Sequence, residues 1–172
     1  MKRIGRAVLV ILTVLAVSVS GSQAALADPP TREPLVAEPL SFGPGEVCSF
    51  PLTLSAVRNR AQVITFSDGR VKGVGSFWTR ITNDATGESI VVNTSGPFSS
   101  RPNPDGTETW RGAGRFLWYF LPGDLGPGEP GALLLTTGLS VEIVNPSPGA
   151  FAILSFTRKG GTTENLCQTL AD

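Results

Sequence analysis

From residue 46 onward the apolar residues of this chain alternate with polar ones, and Gly, Asn and Asp punctuate the alternation. No segment there has the spacing of three and four that would gather apolar side chains on one helical face, so the period of two predicts an all-β domain. Phe50, Leu52 and Leu54 alternate with Pro51, Thr53 and Ser55 in a first strand. Residues 63–67 and the residues from Arg70 onward flank Asp68-Gly69, a pair suited to a two-residue type I′ turn because both central positions need positive φ. That register sets Phe66 opposite Val71 and Ile64 opposite Gly73. A second hairpin is expected about the loop 83–87, between residues 77–82 and 88–95.

Residues 107–121 and 131–144 read as two long strands separated by a loop rich in Gly and Pro. Residues 145–149 then turn the chain into 150–157, with Val144 opposite Ala150, Ile143 opposite Phe151 and Val141 opposite Ile153. Residues 164–170 are expected to form one helical turn presenting Cys167. The sum is a single antiparallel β-barrel, or a barrel-like sandwich, of about eight strands.

One spacing occurs twice: Gly73, Gly75, Phe77 and Gly112, Gly114, Phe116. Along uninterrupted strands these residues share faces, Val71-Gly73-Gly75-Phe77-Thr79-Ile81 in one and Trp110-Gly112-Gly114-Phe116-Trp118-Phe120 in the other. Paired glycines beside large aromatics suit strong coiling, or a place where a bulky side chain from another strand comes close. Neither copy has the third glycine and following helix of a dinucleotide site. Residues 116–121 are apolar on both faces, which fits a strand covered on both sides, or one that offers a face to a ligand. A cavity, if formed, would be lined by Trp110, Phe116 and Trp118, the candidate ligand-binding residues, with Arg111, Arg115 and Tyr119 on the other face.

The N-terminal region changes the arithmetic. Lys2, Arg3 and Arg6 precede 13 apolar-rich residues, 7–19, and then small residues ending at Ala27, the three-part pattern of a secretory signal cleaved after Ala27. A membrane anchor needs about 20 apolar residues, so no span is expected in the mature protein. Cleavage removes three bases and no acid, leaving 11 bases against 14 acids, a net charge of −3 instead of zero. Residues 28–45 hold five prolines and are expected to form an extended leader with little regular structure, ahead of the folded domain 46–172. Eleven of the 14 bases are Arg, a bias that fits a GC-rich, bacterial genome.

Candidate chemistry is sparse. The chain has no histidine, which removes histidine triads and histidine-zinc sites, and two cysteines cannot make a four-thiolate metal site. The acids, Glu142 among them, are scattered and mostly at turns, with no spacing that places two across a cleft. No Gly-x-Ser-x-Gly elbow occurs, and the charge balance does not suit a nucleic-acid binder. Neither a catalytic residue nor a cofactor is expected. Cys48 and Cys167, 119 positions apart, are expected to pair in an oxidising compartment in preference to acting as reactive thiols.

Val47-Cys48-Ser49-Phe50, Ile64 to Arg70, Thr82 to Glu88, Ser95-Gly96-Pro97 and Asn165-Leu166-Cys167 resemble a group of small exported β-proteins of actinobacteria without assigned activity. The resemblance covers most of residues 46–170 and implies location and fold class but no catalytic residues. Two functions follow as expectations. The first is a secreted, non-enzymatic β-domain that binds a protein or glycan partner or sits in the cell envelope. The second is a small barrel with an interior site for an apolar ligand, acting as a carrier or an enzyme.

Overall fold

A computed structural model describes residues 28–148 and 151–171 of the chain. The expected signal segment lies outside the described residues, as does Ala150. Twelve strands and one helical turn follow in order: β1 (Thr31–Pro34), β2 (Leu40–Phe42), β3 (Leu52–Thr65), β4 (Val71–Asn83), β5 (Ser89–Asn93), β6 (Phe98–Pro102), β7 (Glu108–Ala113), β8 (Phe116–Phe120), β9 (Ala132–Thr136), β10 (Leu139–Asn145), β11 (Ala152–Lys159), β12 (Thr163–Asn165) and α1 (Leu166–Thr169). All pairings are antiparallel. The larger sheet runs β1-β3-β4-β6-β7-β10-β11, with β2 also on β3 and β5 on β4; the smaller is β12-β9-β8.

The all-β expectation holds, but among the described residues no sheet closes into a barrel. The physical reason is a corner. Gly114 (φ 70°) and Gly138 (φ 87°) take a left-handed backbone, and the Gly114 N–H donates to Gly138 O at 2.8 Å. Each of the two long predicted strands therefore breaks there: β7 and β10 belong to the larger sheet, β8 and β9 to the smaller. β11 and β12 change sheets beside them at Gly160-Gly161, and a Cβ on Gly161 would run into the Thr137 carbonyl. Strands that switch sheets at bends form corners of this kind. The smaller sheet folds over β3 and β4, and side chains instead of a hydrogen-bond ladder fill the gap. Leu52, Leu54 and Ile81 pack there against Leu133, Leu135, Leu166 and Leu170.

Three local expectations change as well. The β3–β4 turn has a three-residue loop, with Phe66 N–H donating to Arg70 O (2.9 Å) and Gly69 N–H to Phe66 O (3.0 Å). Among the described residues no non-glycine has positive φ, so Asp68 cannot take the I′ position; its carboxylate accepts from Arg70 N–H (3.2 Å) and Nε (2.6 Å). The register moves by one, pairing Thr65 with Val71 and Ile64 with Lys72, which turns Ile64 away from the Val71–Gly73 face. On β10, a bulge after Ile143 pairs Ile143 with Ser155 and Val144 with Ile153 instead of the expected partners. The supposed leader forms β1 and β2 on the edge of β3, Pro34 sitting where β1 ends and an N–H is dispensable.

The helical turn is shorter than expected, four residues, with the Asn165 side chain accepting from Cys167 N–H at 3.0 Å as its N-cap. Cys48 and Cys167 form the expected disulfide, with a Cα–Cα distance of 5.4 Å.

Candidate functional site

The face on which β4 carries Val71, Gly73, Phe77 and Thr79 does not pack fully against the core. With Ala61 and Val63 of β3, Phe98 of β6 and Phe116, Leu117 and Tyr119 of β8, it lines a groove of about 680 Å³. The glycine spacing explains part of that room. A Cβ on Gly73 would meet only Phe98 Cβ, at an ordinary 3.6 Å, so the missing side chain leaves open space.

One wall of the groove is the β1–β2 connection, residues 35–39, bracketed by Pro34 and Pro39. Leu35 N–H donates to Ala61 O (3.0 Å) and Asn59 Nδ2 to Leu35 O (2.6 Å), so the connection is moored to β3 where β1 ends. Val36 at its crest is 79% exposed. At the other end Phe42 of β2 packs on Tyr119, ring centroids 5.1 Å apart.

The lining is apolar apart from Glu38 on the connection and the hydroxyls of Ser55, Thr79, Thr94 and Tyr119. Thr79 and Thr94 are hydrogen-bonded to each other at 3.0 Å, and Thr94 Oγ1 also donates to Phe77 O (3.3 Å). These hydroxyls are spent on each other and on the sheet. Apart from Glu38 and the hydroxyls of Ser55 and Tyr119, the surface left to a ligand is hydrocarbon and aromatic carbon.

Of the three candidate ligand residues, the structure places only Phe116 in this groove. The three are nevertheless linked by one aromatic chain: Trp110 meets Phe98 (5.7 Å), Phe98 stacks on Phe116 (5.9 Å) and Phe116 meets Trp118 (4.6 Å). Trp118, 5% exposed, belongs to a second core cluster with Phe120 and Ala132, backed by Phe156. Trp110 packs on Phe151 (5.8 Å), and its Nε1 donates to Glu108 at 2.8 Å. The space beside Gly112 is filled, since a Cβ there would lie 2.8 Å from both the Phe116 and Trp118 rings.

Sequence reasoning missed the 35–39 wall, hidden by its prolines, as well as Phe98 and the exposed Tyr119 of the groove. It also singled out nothing about Glu142 beyond its place in the 131–144 strand. Glu142 lies in mid-strand on β10 and is 2% exposed. Burial, and secondarily the charge of Asp124, push its carboxyl up from 4.5 to about 7. It forms no ion pair among the described residues and is sealed from any substrate.

Among the described residues no three His, Cys, Asp or Glu side chains gather as metal ligands, and no helix is long and apolar enough to cross a membrane. No family model, curated protein or solved structure matches the chain significantly.

Proposed function

We propose that this is an exported, non-enzymatic binding domain, a two-sheet sandwich bent at a glycine corner, whose groove takes an elongated apolar ligand such as an acyl chain. The groove carries the reading. Its volume of about 680 Å³ falls within the range of small-ligand sites, and its walls offer almost nothing but carbon. A glycan would find few hydrogen-bond partners there, because the threonine hydroxyls are already engaged. No hydroxyl with a base hydrogen-bonded to it, no paired acids and no metal cluster border it among the described residues, which favours binding over chemistry. Export rests on the basic-then-apolar N-terminus ending at Ala27 and agrees with a disulfide that would be out of place in a reducing cytosol. The resemblance to exported actinobacterial proteins supports the same location.

Fluorescence of cis-parinaric acid titrated into the protein tests the reading. Saturable uptake is expected, displaced by saturated fatty acids and weakened at least tenfold by Gly73→Leu, whose side chain would fill the groove from a position with room for a Cβ. Absence of uptake, or uptake indifferent to Gly73→Leu in a protein with an unchanged circular dichroism spectrum, would contradict it.

A further inference from the structure

On the opposite face of the same strands lies a second concavity, of about 310 Å³, with a different chemistry. Across β4, β6 and β7 the register aligns Lys72, Ser99 and Arg111 in one row, and Arg101 with Thr109 two residues farther along. Arg70, just ahead of β4, borders the same concavity as Arg101. Side chains at such positions share a face, and all of these border the concavity. Four of the 11 bases that follow Ala27 are thus collected in one place on a protein whose net charge beyond that point is −3.

No carboxylate lines the concavity. Arg70 pairs with Asp68 at 2.6 Å, while Lys72, Arg101 and Arg111 have no ion-pair partner among the described residues. Adjacent like charges are held together at a cost that an anionic partner would relieve.

The geometry points to a binding site for a linear phosphate polymer without bases. The two rows of cations lie about 7 Å apart along the strands, so each can hold one anionic group of a repeating chain. The two free oxygens of a chain phosphate accept over a wide cone and out of any one plane, so one group can meet a guanidinium fork, an ammonium and a hydroxyl that stand on three strands, and Lys72, Ser99 and Arg111 supply that set in one row. A carboxylate accepts mainly in its own plane, where a single fork satisfies it. Bases would need an open aromatic platform. The ring at this edge, Phe66, is already covered by Arg70 (4.8 Å to the ring centroid) and Lys72 (5.7 Å).

The row of bases is on the other side of the sheet from the apolar groove, with Val71 alone bordering both, so the two can be tested apart. The full-length mature protein is titrated with inorganic polyphosphate at several salt concentrations, beside poly-glutamate and single-stranded DNA. Polyphosphate is expected to bind with a steep salt dependence. Arg101→Ala/Arg111→Ala, two exposed positions, should weaken binding at least tenfold and reduce the salt slope by about two, leaving parinaric acid uptake unchanged. The inference is overturned if polyphosphate does not bind, if the double variant binds it as well as the native protein, or if poly-glutamate or DNA binds equally tightly.

Discussion

Glu142 shows how a single residue gives this fold a pH response. Its carboxyl titrates near 7 when folded and near 4.5 when exposed. Between those values the unfolded chain releases the proton and the folded chain keeps it. The stabilisation is therefore complete below about pH 4.5 and is lost as the pH rises through 7, up to about 3 kcal/mol in all. In a chain without histidine, thermal unfolding from pH 5 to 8 should show a falling melting temperature, and Glu142→Gln should flatten the fall. A second prediction contrasts the two glycine spacings. Gly112→Ala drives a methyl into the Phe116 and Trp118 rings and should cost about 1–3 kcal/mol. Gly73→Ala meets only Phe98 Cβ at 3.6 Å and should change stability by less than about 1 kcal/mol. Urea denaturation of both variants checks the contrast. The sequence left strong coiling and the close approach of a bulky side chain as alternatives for these glycines and could not tell the two copies apart, because the same spacing serves a filled site at Gly112 and an open one at Gly73.

At the scale of elements, alternation identified most strands and hid where they break. The even positions Trp110, Gly112, Phe116, Trp118 and Phe120 keep their parity through Gly114, so nothing in the pattern marks the change of sheet. The change resides in the φ of two glycines and in the hydrogen bond between them. The prolines of residues 28–45 concealed β1 and β2 for a related reason: an edge strand needs few donors, and composition reads it as a spacer. The corner should be sensitive to substitution. Gly138→Ala meets both an unfavourable φ and the Gly160 carbonyl oxygen, 2.7 Å from the new Cβ. Gly123→Ala has a similar φ, 93°, but nothing within 4 Å. Gly138→Ala should therefore be the more destabilising by about 1–2 kcal/mol, and equal losses in urea would argue against a crowded corner.

For the whole molecule, the disulfide ties the segment ahead of β3 to α1 and holds the two sheets together where no ladder joins them. Reducing it should lower the unfolding free energy by up to about 5 kcal/mol on the chain-entropy account, measured by urea denaturation with and without reductant. The cysteine pair, the strand text and the absence of histidine were readable from the sequence; the groove was not, since it depends on the smaller sheet folding over the face of β4. The most direct test of that groove as a binding site is methyl NMR of the protein titrated with dodecanoate. Val63, Val71 and Leu117 should shift and show contacts to the acyl chain, while Leu166 and Leu170 of the sealed core stay in place. Spectra unchanged at millimolar dodecanoate, or shifts confined to residues outside the groove, would contradict it.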